Sequence, residues 1–247
     1  MRPAARSWIG AAPALPRGAA RPWPALARHD LVWLDPVEAP ARLLAAREPD
    51  RELAAAWVRA GRPFVVRRED AASALASAGW LALGLPLPSR LDRRRLALRA
   101  PREVVLRTGS MPLLADACDA AFSGWRRSLR QLCRQLSGSG AAVRTYGSLG
   151  WQHLTGEPYL HPASDIDLLI EPGPGADIER LLAVLSDASA HDCPRLDGEI
   201  TLAPDRRVAW RELFTDTPEV LVRGLDELSL VSRESVHRLL EPGVAAC

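Results

Sequence analysis

Tyr146–Pro172 reads YGSLGWQHLTGEPYLHPASDIDLLIEP, and its second half decides the fold. There Asp165-Ile166-Asp167 opens the apolar run Leu168-Leu169-Ile170 and predicts a central strand over 165–170. Side chains alternate along a strand with period two, so Asp165 and Asp167 share a face. Two carboxylates side by side repel unless a proton or a divalent cation lies between them. Upstream, Ala142–Tyr146 predicts a short strand entering a Gly147-Ser148 turn, followed by a short helix over 149–155. The turn exposes backbone N–H groups and the helix start adds a positive dipole end, which together suit a phosphate tail. Gly147 admits close backbone approach, and Ser148 adds a hydroxyl donor.

Downstream, Glu171–Gly175 is a Pro/Gly breaker, and Ile178, Leu181, Leu182 and Leu185 mark a helix. Arg195–Leu202 and Arg207–Leu213 read as two strands. In the first, Asp197 and Glu199 fall on one face, so either can supply a third carboxylate, with Asp197 preferred. Three such groups beside a phosphate cradle describe a two-metal site for a nucleotide-like polyphosphate. Arg211 either serves the triphosphate or pairs with a carboxylate such as Glu212. Asp216-Thr217-Pro218-Glu219 predicts a capped helix start, and 232–240 a final helix. Before the motif, 113–136 reads as helical, with Trp125, Leu129, Leu132 and Leu136 on one face.

Residues 29–107 predict a small α+β unit: a first ordered element over 28–34, a helix over 41–60, a strand-like stretch over 62–67, an apolar, Pro-punctuated stretch over 80–88, a loosely alternating one over 93–100 and a further strand over 104–107. No catalytic constellation is visible in it. His29 reads as a packing residue of this unit, and Trp151 as a candidate for stacking near the phosphate turn. Arg93-Arg94-Arg95 reads as a solvated run, or one that meets an acidic partner. Met1–Arg28 carries five arginines, five prolines and no acidic residue, and is expected to be a disordered arm or the product of an upstream start codon.

The 247 residues suffice for one large or two small domains, and 47% hydrophobic with 25% charged residues is a globular composition. A formal charge of +2 gives no polyanion signature, so neither nucleic acid nor a membrane surface is expected as partner. The chain has no lysine, so any cationic phosphate contact must be an arginine fork. Cys118, Cys133, Cys193 and Cys247 show no zinc spacing, which points to a reduced, cytoplasmic chain. No apolar run is long enough to span a bilayer.

The order strand–GS–helix–DIDLLI–helix–strand with DGE resembles the nucleotidyltransferase superfamily. Sixteen residues separate Ser148 from Asp165, so the intervening loop is expected to be enlarged. With RHDLVWL (28–34), FVVR (64–67), GLPLP (84–88), RLDGEI (195–200) and VAWREL (208–213), the chain is similar to the malonate decarboxylase holo-acyl-carrier-protein synthases, or phosphoribosyl-dephospho-CoA transferases. The resemblance implies transfer of 2′-(5″-phosphoribosyl)-3′-dephospho-CoA from triphosphoribosyl-dephospho-CoA to a serine of the malonate decarboxylase acyl carrier protein, with pyrophosphate leaving. It also implies that Asp165 and Asp167 are the essential pair. Magnesium is the expected ion, held by Asp165, Asp167 and Asp197 or Glu199. Adenylyl transfer from ATP and a non-catalytic binding module are the alternatives. The expected architecture is α+β: a disordered arm 1–28, a smaller N-terminal recognition domain 29–107, and a nucleotidyltransferase-like domain 108–242 with a small mixed sheet flanked by helices.

Overall fold

The computed structural model describes residues 26–68, 79–190, 194–203, 205–225 and 227–240. Most of the expected arm, and Cys193 and Cys247, lie outside these. Leu26 and Arg28 belong to the folded body: Leu26 packs on the first core cluster and Arg28 pairs with Glu199. Mixed α+β structure is organised around two six-stranded sheets.

The first sheet holds β1 (Leu31–Leu34), β2 (Leu44–Ala45), β3 (Phe64–Val66), β4 (Trp80–Pro86), β5 (Arg95–Pro101) and β6 (Val105–Gly109), in the order β2-β5-β4-β3-β1-β6. Every pair in it is antiparallel. β4 and β5 register from Trp80↔Pro101 to Pro86↔Arg95. Along β5, Leu96, Leu98 and Ala100 turn into the core, which leaves Arg95 and Ala97 on the other face. The single helix expected over 41–60 is two, α1 (Ala39–Arg42) and α2 (Glu48–Arg59), separated by β2. Pro49 explains the break, because proline fits the first turn of a helix but not its interior. Trp57 anchors α2, its indole N–H donating to the Pro63 carbonyl at 2.8 Å.

The second sheet holds β7 (Ala141–Thr145), β8 (Ile166–Pro172), β9 (Leu196–Ala203), β10 (Arg206–Ala209), β11 (Glu219–Arg223) and β12 (Leu228–Ser232), in the order β12-β11-β10-β9-β8-β7. β8 and β9 are parallel and the other pairs antiparallel, so the sheet is mixed. A parallel pair needs a crossover, which α6 (Ile178–Ala190) supplies. β8 lies between β7 and β9, one strand from the edge rather than at the centre, and begins at Ile166 with Asp165 just before it. Its Ile166, Leu168, Leu169 and Ile170 are all buried, as a strand covered on both faces requires.

The expected helix over 113–136 is α3 (Leu114–Ala117), a 3-10 turn, and α4 (Ser123–Leu136). α4 buries Leu129, Leu132 and Leu136, with Trp125 half-buried edge-on to Phe122. The helix expected after Asp216 is instead strand β11. The alternation of Glu219-Val-Leu-Val-Arg puts Val220 and Val222 in the core and pairs five residues with β12, which outweighs the local capping pattern. α7 (Arg233–Leu240) closes the chain as expected. Among the described residues no helix is long and apolar enough to cross a membrane.

The helix after Tyr146, α5 (Gly147–Thr155), belongs to both halves. Its Leu149 packs in the second core cluster, while Trp151 and the following Tyr159 pack in the first, with Met111. The loop after Gly156 straps the halves together. Tyr159 Oη donates to the Pro86 carbonyl at 3.1 Å, Ser89 N–H donates to the Pro158 carbonyl at 2.9 Å, and Glu157 meets Arg62 and Arg90 at 2.9 and 2.8 Å.

Candidate functional site

A cavity of about 470 Å³ lies between the two sheets. The second half lines it with Tyr146, Gly147, Ser148, Trp151, Tyr159 and Asp167; the first contributes His29, Arg67, Arg93 and Arg95 over an apolar floor that includes Leu85, Leu87 and Leu96. Phosphate-cradle residues, a carboxylate and arginines therefore share one concave space with apolar walls, the usual composition of a ligand site.

The cradle is built by backbone. Tyr146 N–H and Thr145 Oγ1 both donate to the Asp167 carbonyl, at 3.0 and 3.1 Å, which locks the Gly147 turn onto β8. Gly147 has φ +58°, and a Cβ there would lie 1.8 Å from Asp167 Oδ2. Only glycine lets the Asp167 carboxylate rest against the first turn of α5. Ser148 follows at the helix start and faces the same cavity.

β9 brings the next carboxylate alongside. In the parallel register Asp167 pairs with Asp197 and Leu169 with Glu199. Gly198, with φ +139°, permits that pairing: a Cβ there would lie 1.9 Å from the Leu168 carbonyl oxygen. Burial, then the negative charges of Asp197 and Asp165, push the Asp167 carboxyl up to about 6, while Arg95 pulls the other way. Asp165 is half-buried, with Arg195 at 3.4 Å. Asp197 accepts the Gly198 N–H at 2.8 Å. Oxygen donors that repel one another in this way suit a hard divalent cation. Among the described residues, no three His, Cys, Asp or Glu side chains are gathered closely enough to hold a metal unaided.

Glu199 is placed differently. Its carboxylate is buried and pairs with Arg28, with His29 Nε2 at 3.4 Å. Burial pushes it up, but His29 and Arg28 outweigh that and hold it down at about 2. Arg207, buried on the next strand, adds positive charge to the same cluster. Glu199 thus joins the N-terminal segment to β9, while its charge still reaches Asp167. Arg211 does not line the cavity: its Nε and Nη2 donate to the Leu196 carbonyl at 3.0 and 2.6 Å, and its guanidinium packs on Trp210. It steadies the entry to β9, and its neighbour Glu212 pairs with Arg223.

His29 packs across the halves rather than within its own, its ring 4.3 Å from that of Tyr146. Trp151 is buried in the wall of the cavity. His161 lies outside it, Nδ1 accepting the Ala163 N–H. Arg67, Arg93 and Arg95 line the cavity although the motif reading gave them no place in the site. Arg95 opens β5 and Arg93 lies in the left-handed turn before it, so no strand alternation in the sequence marks the two as sharing a face.

Two family models match the chain. One described as the phosphoribosyl-dephospho-CoA transferase MdcG N-terminal domain matches residues 27–110, and its C-terminal counterpart matches 113–234. A protein of Xanthomonas campestris pv. campestris strain 8004 named phosphoribosyl-dephospho-CoA transferase is 34% identical over 85% of this chain and 95% of its own length. Proteins of the same name from Bradyrhizobium diazoefficiens and Pseudomonas aeruginosa are each 33% identical, over 83% and 70% of this chain and 90% and 81% of their own. No solved structure matches the chain.

Proposed function

Since the chain belongs to the phosphoribosyl-dephospho-CoA transferase family, we propose that it transfers the phosphoribosyl-dephospho-CoA group from its triphosphate precursor to a serine of the malonate decarboxylase acyl carrier protein, on a nucleotidyltransferase-like scaffold. The observation that carries this reading is the parallel register Asp167↔Asp197, set directly beside the Gly147-Ser148 helix start in a cavity open to a polyphosphate.

In the reaction the serine oxygen attacks the α-phosphorus, the hydroxyl proton leaves, and the bond to pyrophosphate breaks. Such a displacement needs positioning and charge neutralisation more than covalent help. The Gly147-Ser148 turn binds and orients the phosphates through backbone N–H groups and the Ser148 hydroxyl. Asp165 and Asp167, with Asp197 alongside, would hold magnesium together with donor phosphate oxygens. Bound there, magnesium would neutralise the triphosphate and the departing pyrophosphate. Trp151 and the apolar floor exclude water from the reacting end.

Intact-mass spectrometry of the apo carrier protein tests the reading, after incubation with this enzyme, magnesium and the triphosphoribosyl-dephospho-CoA donor. A gain equal to the phosphoribosyl-dephospho-CoA group, absent with Asp167→Asn, is expected. A gain only in a parallel reaction with ATP would replace it with adenylyl transfer. No gain with either donor would remove the assigned activity.

A further inference from the structure

The first sheet, expected to serve carrier-protein or donor recognition, brings arginines to the cavity. Arg94 turns away and pairs with Asp50 at 2.8 Å, while its neighbours Arg93 and Arg95 line the cavity opposite Gly147, Ser148 and Asp167. The backbone is bent to achieve this. Asp92 and Arg93 have φ of +60° and +52°, two consecutive left-handed residues, neither of them glycine. The turn is held by Asp92 N–H donating to the Ser89 carbonyl and Leu87 N–H donating to the Arg94 carbonyl, at 3.3 and 2.8 Å. Strain of this kind persists where surrounding structure enforces it, often at ligand sites.

The charges around the cavity point the same way. Asp165, Asp167 and Asp197 would repel a triphosphate, so its far oxygens need positive charge on the opposite wall. Among the described residues, no carboxylate forms an ion pair with Arg67, Arg93 or Arg95, and Arg67 Nε is buried without a hydrogen-bond partner. Planar guanidinium forks match pairs of phosphate oxygens, and this chain has no lysine to do the work instead.

We propose that Arg93 and Arg95, backed by Arg67, form the wall that grips the triphosphate of the donor, so that the leaving pyrophosphate is held by the N-terminal sheet as well as by the Gly147-Ser148 turn. This rests on the transfer reading above and adds to it the residues that recognise the polyphosphate.

The test titrates the full chain and its Arg93→Gln, Arg95→Gln, double and Arg95→Lys variants with two probes, inorganic tripolyphosphate and 3′-dephospho-CoA. Both side chains are exposed, so the variants should keep the wild-type thermal midpoint. Each Gln variant should lose tripolyphosphate affinity by at least about tenfold, the loss typical of one charged hydrogen bond. Arg95→Lys should fall in between, because it keeps the charge and loses the fork. Binding of 3′-dephospho-CoA should not change, and with complete donor the KM for donor should rise while that for carrier protein holds. Four results would overturn the proposal: no tripolyphosphate binding by the wild type; unchanged binding in the double variant; a loss confined to 3′-dephospho-CoA, which would put the arginines on its internal diphosphate; or a rise only in the carrier-protein KM. Arginine-dependent tripolyphosphate binding without any transfer would keep the wall and remove the transfer reading. Transfer that ignores both substitutions would do the reverse.

Discussion

Asp167 meets three demands at one position. Its carbonyl ties down Tyr146 and Thr145, its carboxylate rests on Gly147, and its neighbour across the parallel ladder is Asp197. The carboxylate is held at a cost, visible as a pKa raised to about 6 by burial and like charge. Replacing it by Asn removes one of those charges and keeps the shape. Asp167→Asn should therefore abolish transfer while the thermal midpoint of the metal-free protein stays level or rises; a marked fall would make Asp167 structural. Gly147→Ala has the opposite profile. The φ of +58° costs a non-glycine residue about 1–2 kcal/mol, and the new Cβ would meet Asp167 Oδ2 at 1.8 Å. Both stability and transfer should drop, and wild-type transfer by Gly147→Ala would show that the carboxylate can move without consequence. The Gly147-Ser148 turn and the two aspartates were readable from sequence because their spacing along the chain is short and their alternation is local. The place of Arg93 and Arg95 at the cavity was not, since it depends on a strand some seventy residues away that lines the same space.

The β8–α6–β9 unit carries the site because one register sets two aspartates side by side. That register depends on Gly198, whose missing Cβ is what allows the Leu168 backbone to come so close. A flexible side chain can step aside, but a backbone oxygen held in a strand ladder cannot. Gly198→Ala should cost about 3 kcal/mol or more through strain and overpacking, read as a large drop in denaturation midpoint or insoluble protein; a well-folded variant would show that β9 can slide. Element boundaries were less legible than element order. Pro49 split a helix that periodicity alone read as continuous, and Glu219–Arg223 paired with β12 although Asp216 and Glu219 spell a helix start. In the first case a single missing N–H, in the second hairpin pairing with the next strand, overrode a local pattern.

Across the whole molecule, the cavity exists because the halves are clasped on two sides. On one, Glu157 accepts from Arg90 and Arg62, and the Arg90 hydrogen bond leads in holding its carboxyl down at about 2. A folded-state pKa below the ordinary 4.5 means that this clasp stabilises fully above pH 4.5 and fades as pH falls toward 2. Arg90 is largely exposed, so solvent limits the contribution to about 1 kcal/mol. Chemical denaturation of wild type and Glu157→Gln should differ by that amount at pH 7 and converge at the acid end; a constant gap would assign the effect to packing. On the other side, the Glu199 carboxylate stands among Arg28, His29 and Arg207 in a buried setting. Removing its charge leaves these groups to repel one another out of water, a loss of about 3–5 kcal/mol for a broken buried pair. Asp197→Asn removes a charge from a repelling set and should leave stability intact. Glu199→Gln is therefore expected to unfold early yet keep the magnesium dependence of whatever transfer survives, and Asp197→Asn to fold normally and lose transfer. If instead Glu199→Gln folded as the wild type and needed much more magnesium, Glu199 would be a metal ligand and the clasp would have to be sought in Arg28 and Arg207 alone.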